Sequence, residues 1–255
     1  MTNTSATLIT IPLSHYCEKA RWALDRVEFP YREEPHAPLW HLLATKRNDG
    51  GSVPVLVQGD LRLTDSTAIL LHADEVCGGN PLYPREAALR HEVQELEEYF
   101  DTKLGPHTRR WAYGHLLPHK KLLCSLWSHQ APRLEAHALP LTVPLTRYLV
   151  RSTYKITPES ALRSRDRVQE VFGEVDRRLS DGRRFLSGER FSAADLTFAA
   201  LAAPVLFPGE CCAVLPALDD VPAPMRDEVL RLRATVAGAF ALRLFLEERR
   251  RPRRQ

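Results

Sequence analysis

Hydrophobic and polar positions change their period partway along the chain, from short β-type runs to helical repeats. Ala6 to Leu13 reads Ala-Thr-Leu-Ile-Thr-Ile-Pro-Leu, with Pro12 at its exit, and predicts a first strand. Behind it Ala20, Ala23, Leu24 and Val27 recur at helical spacing, with Trp22 flanking the stripe. Lys19, Arg21, Asp25 and Arg26 fall on the other faces, so the segment predicts an amphipathic helix of about three turns. Phe29 to Glu34 is a candidate second strand, followed by a loop or short helix rich in Pro, His and Trp that runs to Asn48-Asp49-Gly50-Gly51. Val53 to Val57 and Leu61 to Thr64 flank Gln58-Gly59-Asp60, the pattern of a hairpin. Asp65-Ser66 then caps a helix carrying Ala68, Ile69, Leu70, Leu71 and Ala73, which stops at Gly78-Gly79.

After Asn80-Pro81-Leu82-Tyr83-Pro84 the β signals end and helical periodicity takes over. Ala88, Val93, Leu96 and Phe100 punctuate a charged helix near Glu86 to Leu104, and Ala161 to Leu179 is a second amphipathic helix. Between Pro106 and Pro158 the prolines allow only a loose placement of helices. Pro140 and Pro144 within Leu139 to Val150 argue against a long lipid-facing helix there. Phe191-Ser192-Ala193-Ala194-Asp195-Leu196 carries an acidic capping box, with Phe191 and Leu196 as the hydrophobic staple. The helix it opens is apolar on nearly every side and is expected to be buried at the centre of the second unit. The chain thus divides into an α/β domain at 1–79, a linker at 80–86, an all-α domain at 87–248 and a basic tail at 249–255.

Composition narrows the function classes. With 255 residues and 44% hydrophobic content, the chain has ample material for a buried core. No run approaches the roughly 18 apolar residues needed to span a bilayer, and the start Met1-Thr2-Asn3-Thr4-Ser5 lacks a positive n-region, so a cytoplasmic protein is expected. The five cysteines, including the adjacent Cys211-Cys212, suit reduced thiols better than a disulfide framework. Neither the cysteines nor the histidines show metal-ligand spacing, and no metal is expected. The net charge of +3 depends on five arginines at 249–254; without them it is −2, and nucleic acid is not an expected partner.

The candidate chemistry lies at the first helix, where Ser14-His15-Tyr16-Cys17 puts a hydroxyl and a thiol at an anion-favouring N-terminus. From spacing alone Asp65-Ser66 reads first as a helix cap, and Cys17 as a packed half-apolar side chain. His15 and Tyr16 are alternative sulfur ligands.

Three motifs in order, Ser14-His15-Tyr16-Cys17, Val53-Pro54 followed by Asp65-Ser66-Thr67-Ala68-Ile69, and Ser192-Ala193-Ala194-Asp195, resemble the cytosolic glutathione transferases, with the Ser- or Cys-type motif of a bacterial-like member. The resemblance implies a thioredoxin-like N-terminal domain, an all-helical C-terminal domain and glutathione as co-substrate. It places Val53 and a cis Pro54 against the cysteinyl part of glutathione, Asp65 and Ser66 at its γ-glutamyl end, and Ser14 beside the sulfur, with Cys17 as the alternative. Conjugation of a small electrophilic, apolar substrate is the leading activity it implies, within detoxification. A thiol transferase or reductase using Cys17, or a non-catalytic binding module, are the competing readings. Lowering a thiol pKa from about 8.5 to about 6.5 takes about 2.7 kcal/mol. A hydrogen bond to a charged group supplies about 1.5 to 3 kcal/mol and a helix N-terminus about 0.3 to 1, so Ser14 and the helix suffice together.

The chain departs from the family pattern at Ser52, where many relatives carry a lysine for the glycine carboxylate; Lys46, Arg47 and His41 are candidate substitutes. Tyr99, His107, Trp111, Tyr113 and His115 are candidates for the second-substrate pocket. The resemblance also implies a homodimer in which the first domain of one subunit meets the second of the other.

Overall fold

A computed structural model describes residues 5–79 and 82–249. The uncharged start at 1–4, the Asn80-Pro81 part of the expected linker and tail residues 250–255 lie outside them. The first unit runs β1 (Ala6–Thr10), α1 (His15–Arg26), β2 (Tyr31–Pro35), α2 (His41–Lys46), β3 (Val55–Gln58), β4 (Leu61–Leu63) and α3 (Ser66–Cys77). Its sheet has the order β2-β1-β3-β4, with β1 parallel to β2 and antiparallel to β3. This is the expected thioredoxin-like arrangement. The hairpin turns at Gly59, whose φ of 58° is the left-handed conformation that glycine adopts without a Cβ penalty. Gly78, at φ 67°, ends α3 in the same conformation.

Helices α4 (Ala87–Lys103), α5 (Gly105–Leu116), α6 (Lys120–Ser128), α7 (Arg133–Thr153), α8 (Pro158–Arg178), α9 (Ala193–Leu206), α10 (Ala223–Arg233) and α11 (Val236–Glu248) build the second unit. Helix α9 is buried along its length except at Pro204 and packs against α1, α4, α5, α10 and α11. Its capping box is present: the Asp195 carboxylate accepts the Ser192 N–H at 2.8 Å, the Ser192 hydroxyl at 2.8 Å and the Leu186 N–H at 2.7 Å.

Three expectations are corrected. The segment expected as a linker is packed where it is described: Leu82 and Tyr83 are buried, both donate their N–H to the Asp74 carboxylate, and the Tyr83 hydroxyl donates to Glu97 at 2.5 Å. Helix α7 runs from 133 to 153 through Pro140 and Pro144. Two prolines four residues apart share one helix face, and that face is exposed, so water can satisfy the carbonyls they leave unbonded. No helix among the described residues is long and apolar enough to cross a membrane. Finally, Arg249 is not part of a solvated tail; it is buried against α1.

Helix α1 is not amphipathic in the ordinary sense, because Lys19, Arg21 and Asp25 are buried with the apolar stripe. On one side Lys19 donates to Asp101 at 2.6 Å and Thr67 at 3.0 Å and pairs with Glu97 at 2.9 Å, which ties α1 and α3 to α4. On the other, Arg249 bridges Glu18 at 2.7 Å and Asp25 at 2.8 Å, while Arg21 holds Glu18 at 3.0 Å and Glu33 at 2.8 Å. Trp22 packs between Phe191 and Phe245, with ring centroids at 5.9 and 4.8 Å. Buried charges cost free energy unless paired, and here each carboxylate meets a cation.

Candidate active site

The end of β1 aims Ile11-Pro12-Leu13 into a cleft of about 300 Å³ between the two units, and Ser14 stands on its wall. Ser14 is the N-cap of α1; its extended backbone (φ −72°, ψ 120°) turns the chain into the helix, and its Oγ accepts the Cys17 N–H at 3.4 Å. The neighbouring side chains are otherwise committed. His15 Nε2 is 2.9 Å from the Gly105 carbonyl, and burial, followed by the nearby Arg109 charge, lowers its pKa to about 3, so the ring is neutral. Tyr16 donates its hydroxyl to the Asp101 carbonyl at 2.9 Å. Cys17 points inward, away from the cleft, and is fully buried. Burial pushes its thiol up to about 11, against weaker opposing pulls from Arg21 and the Ser14 hydroxyl. The helix start therefore offers a hydroxyl to the cleft and keeps its thiol in the core.

Across from Ser14, Gly51, Ser52 and Val53 form another stretch of wall. The Val53–Pro54 peptide is cis, and the strand register of β3 begins only at Val55. Asp65 caps α3 by accepting the Ala68 N–H at 3.1 Å, and Ser66 is buried beside it. Both lie at the α3 N-terminus rather than on the cleft wall, although Asp65 is near enough to Tyr16 to help raise that phenol, whose largest upward push is burial. Of the three candidate substitutes for a lysine at 52, His41 lines the cleft while Lys46, the last residue of α2, and Arg47 just after it are exposed. His41 Nδ1 is buried without a partner among the described residues, and burial, then the charge of His36, lowers the ring to about 4.

The far half of the cleft belongs to the helical unit. Helix α5 presents Arg109, Ala112, Tyr113 and Leu116, one face at helical spacing. Of the five residues expected in a second-substrate pocket, Tyr113 alone lies there. Trp111 is in the core with His115 against its edge at 4.9 Å, His107 meets Ser164 of α8 at 3.2 Å, and Tyr99 lies near Glu170 and Glu174 of α8. Aromatic character marked these positions in the sequence, but the phase of α5 turns 107, 111 and 115 away from the cleft. Arg109 was missed; its neighbours in the helical repeat, Ala112, Tyr113 and Leu116, were the available signal. Cys211, Leu215 and Met225 close the C-terminal side.

A family model described as glutathione S-transferase, N-terminal domain, matches residues 8–81, and one described as glutathione S-transferase, C-terminal domain, matches residues 158–220. Together they take in more than half of the 255 residues. A sequence search found no match among curated proteins. Among solved structures, FzlA from C. crescentus is 24% identical over 97% of this chain and 94% of its own, with a TM-score of 0.56. A glutathione S-transferase from Rhodospirillum rubrum F11 is also 24% identical, over 98% of this chain and 95% of its own, at 0.56. The beta-etherase LigF from Sphingobium sp. strain SYK-6 is 19% identical over 94% of this chain and 99% of its own, at 0.58. These structures are similar to this chain in fold.

Proposed function

Since the chain belongs to the cytosolic glutathione transferase family, we propose that it binds glutathione in the cleft headed by Ser14 and activates its thiol for attack on an electrophilic, apolar second substrate. The observation that carries this reading is the division of labour at the α1 N-terminus: the Ser14 hydroxyl faces the cleft, while the Cys17 thiol is buried and raised to about 11. A buried thiol of raised pKa is a poor nucleophile, which disfavours a mixed-disulfide mechanism on Cys17. Ser14 donates to the cofactor-derived thiolate, and the amides of the first turn of α1 add their partial positive charge. Val53 offers its backbone beside the cis peptide, Asp65 and Ser66 take the γ-glutamyl ammonium and carboxylate, and His41 donates to the glycine carboxylate as a neutral ring. Tyr113 and the apolar residues of α5 and α7 hold the electrophile. A glutathione-bound relative from Xanthomonas axonopodis pv. citri, 17% identical, supports glutathione as the ligand of such a cleft.

Conjugation of a generic aryl halide by wild type, Ser14→Ala and Cys17→Ala tests the proposal. Loss of a hydroxyl worth about 1.5 to 3 kcal/mol to a thiolate raises its pKa by about one to two units, so Ser14→Ala, starting from a pKa of about 6.5, is expected to slow the reaction at pH 7 roughly 3- to 25-fold. Cys17→Ala should retain the wild-type rate. An unchanged rate in Ser14→Ala removes that residue from the mechanism.

A further inference from the structure

Arg109 is the one side chain of the cleft whose charge the described residues leave unanswered. Glu18, a carboxylate that also lines the cleft, is held by both Arg21 and Arg249. Arg110, the next residue along α5, is satisfied by the Tyr154 carbonyl at 2.9 Å and Ser164 Oγ at 3.3 Å. Arg109 forms no ion pair among the described residues, and its buried Nε has no hydrogen-bond partner there. Its guanidinium lies over the Tyr154 ring, 3.9 Å from the centroid, with the Tyr16 ring at 5.8 Å. Tyr154 is itself stacked on Tyr113 at an interplanar angle of 8°. The rings fix the guanidinium plane from its faces and leave its edge, where the donors lie, for a partner.

A buried Nε–H without an acceptor is unfavourable, and among the described residues the cleft supplies no free anion to the half-buried guanidinium. His15 beside it does not help, because it is a neutral ring already engaged by Gly105. Much of the remaining wall is apolar, with Leu116, Leu126, Leu149 and Val150 among its residues. A ligand matching this layout has an apolar body and one compact anionic group.

We propose that Arg109 receives a carboxylate of the second substrate, so that the protein selects apolar electrophiles that are also acids, such as unsaturated or aryl carboxylic acids. This rests on the conjugation reading above for what then happens to the substrate, but the carboxylate site stands on the geometry of α5. Arg109 binds the acid edge-on through paired N–H donors, and the carboxylate orients the apolar body along the cleft toward Ser14. Arg109 acts as a specificity-determining residue and takes no part in proton transfer.

Calorimetric titration of the whole chain with 3-phenylpropanoate and with its neutral amide, each with and without saturating glutathione, tests the inference. Wild type should bind the acid about tenfold or more tightly than the amide, in both conditions. Arg109→Gln should bring the two ligands to about equal affinity while leaving the amide unchanged, and Arg109→Lys should keep part of the preference. Equal binding of acid and amide by wild type, no binding of either, or a preference that survives Arg109→Gln overturns the proposal. So does a preference that disappears when glutathione is present, which would assign Arg109 to a glutathione carboxylate. Glutathione's own titration is read separately: if it fails to bind while the acid preference persists, the conjugation reading falls and the carboxylate site remains.

Discussion

Replacing Arg249 by methionine removes a cation from the core while keeping most of its volume against Trp22, whose ring the guanidinium overlies at 5.7 Å. The two carboxylates it bridges then differ in fate. Glu18 keeps Arg21 at 3.0 Å, but among the described residues Asp25 keeps only the Tyr31 hydroxyl at 2.9 Å. Burial already pushes the Asp25 carboxyl up against the pull of Arg249, so its escape in the variant is to take a proton. Breaking a buried pair costs about 3 to 5 kcal/mol. Protonating a carboxyl of ordinary pKa about 3.9 at pH 7 costs about 4 kcal/mol, which caps the loss at Asp25, and the cap falls to about 1.5 kcal/mol at pH 5. The sign follows from proton binding: folded variant holds a proton that the unfolded chain lacks at pH 7, so its stability falls as pH rises. Urea unfolding followed by tryptophan fluorescence should show Arg249→Met about 3 to 4 kcal/mol below wild type at pH 7 and about 1 to 2 below at pH 5. Adding Asp25→Asn should remove most of that pH dependence. A loss under about 1 kcal/mol at pH 7, or one that does not change with pH, refutes the reasoning.

Other consequences can be measured in the same way. His15 is neutral when folded, with its pKa lowered from 6.5 to about 3 by burial and then Arg109, so the stability it contributes is complete above about pH 6.5 and is lost as pH falls toward 3. Between pH 7 and 5 this amounts to about 2 kcal/mol, and His15→Gln, which keeps a donor for Gly105, should flatten the stability profile by about that much. Asp195→Ala strips the acceptor from three buried donors and should cost about 3 kcal/mol or more in chemical unfolding. A Cβ at Gly238 would stand 1.9 Å from the Leu232 carbonyl oxygen, so Gly238→Ala should lower the melting temperature by forcing α11 from α10.

Local signals carried much of the fold. The hairpin around Gly59, the end of α3 at Gly78 and the Ser192/Asp195 box all involve residues a few positions apart, and their chemistry is complete within the segment. Pairings over long distances were not legible. Lys19 looked like a solvent-facing charge because its partners, Glu97 and Asp101, sit on another helix, although their spacing of four places them together on one face of α4. The site divides similarly. Ser14 and Val53 follow from motifs, whereas the presence of Arg109 and the absence of His107, Trp111 and His115 from the cleft depend on which face α5 turns toward it. Periodicity identifies a helix face, but not the element that the face meets.

The Arg249 clasp also sets an order of events in time. Asp25 precedes its cation by 224 residues, an interval of roughly 10 to 45 s at a synthesis rate of about 5 to 20 residues per second. Over that interval α1 has its carboxylates but neither Arg249 nor Phe245, the ring that covers Trp22. Helix α1 is made before every other helix among the described residues yet is among the last to reach its final surroundings, and the sheet unit is completed by a residue at the close of α11.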